Sequence, residues 1–228
     1  MMQREAPPTA DTTPIVIDVW ADLACPWCYL GKHRLTRAVQ SRPDAERFTI
    51  RLRSFELNPD APRTPETIEQ AFIRSHGGDA AVVVQAEQRI QRLARQEGLP
   101  FDLDRPNANT FDFHRVLHLA ATLGRADSFF SRVQDGLFAG SLNPFDGEAL
   151  VGAAVEAGLP GEEVRQVLAS DDYSDAVRAD SEEGRRLGVT GVPFVVFDDR
   201  FAAAGAQSEA GYREALDLAA RPAAREEE

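Results

Sequence analysis

The sequence predicts an α/β fold. The two ends of the chain build one sheet with helices on its faces, and a long all-helical insertion subdomain lies between them. Three observations carry this expectation. Apolar runs at 14–20 and 47–57 have the composition and period of strands around a helix. From about Thr64 to Gly188 apolar residues recur at three- and four-residue spacing, and almost nothing has a strand period. Strand signals return at 192–206, and one more helical stretch follows.

Each element has its own warrant. "PIVIDVW" (14–20) is β-branched, bounded by Pro14 and apolar on both faces, the composition of a strand buried in a parallel sheet. A helix follows from Pro26 to about Gln40, because proline suits a first helical position, where its missing N–H has no partner to lose. "RFTIRLRSFEL" (47–57) sets Phe48, Ile50 and Leu52 against Thr49, Arg51 and Arg53, the alternation of a half-buried strand. "NPDAPRTPE" ends it. Seven helical stretches come next, from "PETIEQAFIRSHGG" to "DDYSDAVRADSEEGRRLG", several ending in glycine or opening after proline or aspartate. "VPFVVFDDRFAAAGA" (192–206) reads as a hairpin turning at Asp198–Asp199–Arg200, and "QSEAGYREALDLAA" as a closing helix.

Composition narrows the function classes. The chain has 228 residues, 43% of them hydrophobic, a formal net charge of -12 and a mean hydropathy of -0.33. Strong acidity argues against a nucleic-acid partner. No apolar run approaches the ~18 residues that span a membrane. The opening "MMQREAPPTADTTP" lacks the apolar core of a secretory signal. Two cysteines cannot build a disulfide framework, and their scarcity fits a cytoplasmic location.

Both cysteines lie in Cys25-Pro26-Trp27-Cys28. A structural zinc site needs four ligands; no second pair exists, and His33, His76, His114 and His118 are scattered, so no metal is expected. Haem attachment needs histidine after the second cysteine, where Tyr29 stands. Two buried thiols packing as small hydrophobes is the plainest alternative. Against it stands the position of the pair, at a strand-to-helix junction in a βαβ pattern, where a C-x-x-C reads as a redox motif. Unpaired backbone N–H groups and the helix dipole favour a thiolate at Cys25, the nucleophile. Cys28, one turn on, can resolve a mixed disulfide. Pro26 sets the helix start, and Trp27 offers an apolar lip to a partner.

"CPWC" after a strand, followed far downstream by "GVTGVPFVVFD", resembles the thioredoxin fold with a helical insertion, as in the DsbA-like family. "DLACPWCYLGKHRL", "FELNPD", "NTFDFHR", "GVTGVPFVVFD" and "GAQS" closely resemble its FrnE-like branch, over about residues 14 to 220. The resemblance implies a cis Val192–Pro193 bond, with the Val192 backbone facing the cysteines and binding an extended substrate by strand addition. It implies a buried first-strand acid that moves protons for the second cysteine. Asp18 matches it, with one residue more before Cys25, and Asp22 is the rival. The organisation expected is a flexible arm (1–13), a thioredoxin-like first part (14–62), a helical insertion whose last helix returns to the sheet (63–188), a thioredoxin-like second part (189–220) and a flexible acidic tail (221–228).

The remaining polar residues receive plainer readings. His114 and His118, four apart, share a helix face that meets the other subdomain, and no glutamate makes them a zinc-protease motif. Lys32, His33 and Arg34 read as a solvated face, with His33 in reach of the thiols. Glu56 and Asn58 line the groove, and Phe129, Phe130, Phe138 and Phe145 pack a helical core. The whole describes a thiol–disulfide oxidoreductase acting on thiol- or disulfide-containing proteins or small thiols, as a monomer or homodimer. It needs no tightly bound cofactor, with glutathione admitted as a co-substrate. Two rivals stand. Glutathione-dependent 2-hydroxychromene-2-carboxylate isomerases and kappa-class transferases share the insertion fold, but generally carry serine first and lack the second cysteine. A redox-inert, chaperone-like binding module would use Trp27 and the groove beside Pro193.

Overall fold

The structure is a computed structural model that describes residues 13–77 and 79–222. The expected arm up to residue 12 and the tail from residue 223 lie outside the described residues. Strand β1 (Ile15–Ala21) pairs in parallel with β2 (Phe48–Ser54), and helix α1 (Pro26–Gln40) makes the crossover between them. On its other side β1 pairs antiparallel with β3 (Phe194–Phe197), which turns back into β4 (Phe201–Ala204). The sheet order is β2-β1-β3-β4.

Position in the sheet explains the sequence periods. β1 is a central strand and is buried at every residue but Val16, so its apolar run is nearly continuous. β2 is an edge strand and keeps its alternation, with Phe48, Leu52 and Ser54 buried and Thr49 and Arg51 exposed. The β3–β4 turn places Asp198 and Asp199 both at φ 53, a left-handed conformation that aspartate tolerates better than most residues.

Between β2 and β3 lie α2 (Ile68–His76), α3 (Ala80–Gln96), α4 (Phe111–Thr122), α5 (Ala126–Phe138), α6 (Gly147–Glu156), α7 (Gly161–Ala169) and α8 (Ser174–Arg186). Thr67 and Gln70 close a capping box at the start of α2, and Asp79 and Asp146 cap α3 and α6. α9 (Glu209–Ala219) follows β4 and packs on α1. This is a thioredoxin-like fold with a helical insertion.

One hydrophobic cluster runs from the sheet into the insertion, from Ile17, Leu23 and Cys28 to Phe113, Phe129, Phe130 and Val164. A smaller one joins Tyr29 and Leu30 of α1 to Ile90, Phe101 and Phe138. Helix α8 returns to lie on β2. There the Trp20 indole N–H donates to the Asp180 carbonyl at 2.9 Å, and a Cβ on Gly184 would stand 2.9 Å from the Trp20 ring. Only glycine lets the helix approach so closely.

The solvated face expected at residues 32–34 is not solvated. Lys32 is buried and pairs with Asp127 at 2.8 Å and Ser131 at 2.7 Å, and Arg34 pairs with Glu97. These partners belong to the insertion, which lies over this side of α1 and takes up the cations.

Candidate active site

The turn between β1 and α1 is pinned before it reaches the cysteines. The Ala21 carbonyl accepts from the Phe55 amide at 3.3 Å, the Leu23 carbonyl from the Gln134 side chain at 3.2 Å, and the Asp22 carbonyl from the Cys25 amide at 3.3 Å. Cys25 is thereby set as the N-cap of α1, in an extended conformation, with Pro26 opening the first turn. Its Sγ accepts from the Cys28 amide at 3.4 Å, the contact by which a helix N-terminus stabilises a sulfur anion. The same Sγ lies 3.5 Å from the Val192 carbonyl oxygen, to which the thiol donates. The Val192–Pro193 peptide bond is cis. Residues 167 apart in sequence thus meet at one sulfur.

The two cysteines, both free, differ in surroundings. Cys25 is only 4% exposed but borders a cleft of about 600 Å³. One wall of the cleft is Asp22, Ala24, Cys25 and Pro26; the other is α2, with Phe72, Arg74 and Ser75. Leu57 and Asn58 flank it, and Asn107 and Thr110 add polar groups. Trp27 is 36% exposed at the helix start. Cys28 is buried. Burial pushes its thiol well above the ordinary value of 9.0, the neighbouring Cys25 sulfur adds to this, and the Asp22 charge adds further.

Asp22 lines the cleft together with Cys25 and its charge acts on Cys28, while Asp18 is paired with arginines of β2. Asp22 is buried, with Oδ2 accepting from the Leu57 amide at 2.8 Å and Oδ1 lying 3.3 Å from His114 Nε2. Asp18 is buried on β1 beside its neighbour on β2, Arg51, and also pairs with Arg53 at 2.7 Å. Arg53 reaches on to Asp180 of α8 at 3.0 Å, so Asp18 belongs to an ion cluster between sheet and α8. The physical reason is strand alternation: Asp18 shares its side of β1 with Trp20, which faces α8. Asp22 lies beyond the end of β1, in the turn, where its carbonyl accepts from the Cys25 amide.

The other readings divide. Asn58 borders the cysteine cleft, whereas Glu56 lines a separate hollow with Asn109 and Arg178. Burial pushes the Glu56 carboxyl up, against the pull of His114. His33 is half-buried on α1. Burial pushes its ring down, and the charges acting on it are Glu97, Arg37, Asp135 and Glu209. His114 and His118 do meet the other subdomain, at Asp22 and at Ser54, and His118 also pairs with Asp180 of α8 within the insertion. Phe129, Phe130 and Phe138 are core, and Phe145 packs against it half-buried.

Two features escaped the sequence reading. Arg74 and Ser75 on the cleft wall carry no motif. Tyr212 of α9 is buried, its hydroxyl stands 3.3 Å from where a Gly31 Cβ would be, and burial, with the Cys28 charge, pushes its phenol up to about 12. Only the closing of α9 onto α1 brings it there, and no spacing in the chain signals that. His114, by contrast, lies in "NTFDFHR", a segment the resemblance had already marked.

Known proteins share this fold. The profile of the family described as DSBA-like thioredoxin domain matches residues 16–217. A probable DsbA oxidoreductase from Streptomyces coelicolor is 38% identical, with 90% of this chain and 89% of that one superposed at a TM-score of 0.84. A 2-hydroxychromene-2-carboxylate isomerase is 19% identical, covering 89% and 95% at 0.64. The cytosolic disulfide reductase DsbM from Pseudomonas aeruginosa, solved with GSH, is 16% identical, covering 89% and 98% at 0.62. The last two share the fold.

Proposed function

Because this chain belongs to the DSBA-like thioredoxin domain family, we propose that it is a thiol–disulfide oxidoreductase of the FrnE-like kind, working through Cys25 and Cys28. The observation that carries the reading is the position of Cys25 Sγ. It caps α1, touches the Val192 carbonyl and borders the cleft.

The chemistry follows from that position. As a thiolate, Cys25 keeps the Cys28 N–H as donor and loses its own donation to the Val192 oxygen, which becomes a repulsive neighbour. A substrate N–H that occupies the Val192 carbonyl relieves this, so strand addition and activation of the sulfur support each other. The Cys25 thiolate attacks a substrate disulfide; one substrate sulfur leaves as a thiolate and the other joins Cys25. Cys28 loses its proton to Asp22 and attacks Cys25 Sγ. The Cys25–Cys28 bond forms, the mixed disulfide breaks, and the substrate leaves with two electrons more than it brought. Run in reverse, the same steps oxidise a dithiol.

Exposed Trp27 and Leu57 beside the sulfur suit polypeptide substrates. The polar wall of Asn58, Arg74, Ser75 and Asn107 suits a small peptide thiol, which keeps glutathione as a co-substrate, as a fold relative binds it. The protein would work in the cytoplasm, with no metal and no nucleic acid. Glutathione-dependent isomerisation is the less favoured reading, because a second cysteine, Cys28, is present one turn from Cys25. The test is trapping. Cys28→Ser has no internal thiol to release a mixed disulfide, so in cell lysate it should hold reducible adducts on Cys25. If it holds no more than Cys25→Ser does, protein substrates are excluded.

A further inference from the structure

His114 is a histidine with no exposure at all and one unsatisfied ring nitrogen. Its Nε2 lies 3.3 Å from Asp22 Oδ1, and its Nδ1 is buried without a hydrogen-bond partner. A buried polar nitrogen left unpaired costs stability, so the ring has a reason beyond filling space. An N–H without an acceptor is the costlier orphan, which favours the tautomer that carries its proton on Nε2 and donates it to Asp22. The second oxygen of Asp22 is taken by the Leu57 amide at 2.8 Å. The carboxylate is therefore gripped on both oxygens, one by a backbone that cannot turn and one by a ring stacked edge-on against Phe113.

We propose that His114 is a positioning residue for the cysteine pair: it fixes Asp22, which shares a cleft wall with Cys25 and accepts the Cys25 amide on its carbonyl, so that this carboxylate takes the Cys28 proton when the mixed disulfide is resolved. The inference rests on the reading of the chain as an oxidoreductase and adds a residue to it. The proton leaves Cys28 Sγ for Asp22 and the freed sulfur attacks Cys25. The substrate sulfur departs with the bonding pair and takes the proton up from Asp22, which borders the cleft. Among the described residues, other groups also act on this region, and Tyr212 of α9 interacts with Cys28 itself. Glu56 interacts with both Asp22 and His114, Asn109 binds Glu56, and the charge of Arg185 of α8 acts on Glu56. Asp180 of α8 takes His118, one turn further along α4. From α5, Gln134 reaches the Leu23 carbonyl. The burial of Cys28 is what makes a base in this place useful.

The test loads Cys25 with a nitrothiobenzoate by reaction with dithiobis-nitrobenzoate and follows release of the coloured anion against pH by stopped flow. The first anion reports loading; the second reports attack by Cys28, and Cys28→Ser should release only the first. In His114→Leu the second release should slow about tenfold near neutral pH, with its rise displaced to higher pH. His114→Gln, which keeps a donor for Asp22, should restore the profile. In an Asp22→Asn background His114→Leu should change nothing further. Should His114→Leu not fold, His114→Phe keeps a ring against Phe113 and carries the same expectation. An unchanged profile in the Leu or Phe variant overturns the proposal, as does an equal loss in the Gln variant or an additive loss beside Asp22→Asn. If the wild-type protein never releases the second anion, both readings fall; if it does so with a profile indifferent to His114, only this one does.

Discussion

Cys25 and Cys28 are chemically identical in the chain and are made different by three neighbours. The helix start hands Cys25 a backbone N–H, Val192 hands it a carbonyl, and burial beside Asp22 keeps Cys28 a thiol. The last effect has a consequence for stability. Because the Cys28 value is raised on folding, the folded state holds this proton more tightly than the unfolded chain. The contribution is complete below the ordinary value of 9.0 and is lost as pH rises towards the folded value. Reduced wild-type protein should therefore lose more unfolding free energy between about pH 8 and about pH 10 than Cys28→Ser does, read by urea titration. Tyr29, also pushed up by burial, titrates in both proteins and cancels in the difference, as does the part of the Tyr212 shift that burial causes; the part that the Cys28 charge causes belongs to Cys28 and stays in the difference. Equal losses would mean that Cys28 is as accessible to solvent as a free thiol.

At the scale of elements, the site depends on how near α1 comes to the turn before β3. A Cβ on Gly31 would stand 2.9 Å from Pro193 Cγ and 3.3 Å from both Ala206 Cβ and the Tyr212 hydroxyl. None of these can swing aside as the end of a long side chain can. Gly31→Ala gains about 1 kcal/mol of helix propensity and pays about 1–3 kcal/mol of overpacking. We expect a net loss near 1 kcal/mol in denaturant unfolding, and slower disulfide exchange because the turn carrying Val192 is pushed away from Cys25. A variant as stable and as fast as wild type would show that α1 and the turn separate freely.

For the whole molecule, the insertion and the sheet share one core and one ion cluster. Asp18, Arg51, Arg53 and Asp180 tie β1, β2 and α8 together, with Asp180 also accepting from the Ser54 amide at 2.9 Å. This cluster is structural, so Asp18→Asn should separate stability from chemistry. Removing one partner of a buried ion pair commonly costs 3–5 kcal/mol. Here Arg51 is half exposed and can turn to water, so we expect about 2 kcal/mol. Disulfide exchange and its pH profile should stay unchanged after Asp18→Asn and change after Asp22→Asn. A shifted profile in Asp18→Asn would return the proton-transfer role to the first strand.

The sequence by itself determined what depends on local pattern. The period of two in "RFTIRLRSFEL", the helical spacing from 64 to 188 and Pro26 at a helix start all turn on neighbours a few residues apart, and each is found where the pattern put it. Cys25 and Cys28 were legible for the same reason, since one helical turn sets their relation. Which acid borders their cleft was not legible. Asp18 and Asp22 are both acids near the same strand, and choosing between them needs to know which side of the sheet α8 covers and which α1 covers. Lys32 looked solvated because its partners, Asp127 and Ser131, lie on a helix 95 and more residues away. His114 looked like packing because Asp22 stands 92 residues before it. Charge and hydrogen bonding act through space, and only the closing of the insertion over the turn between β1 and α1 decided which of the chain's polar groups would meet.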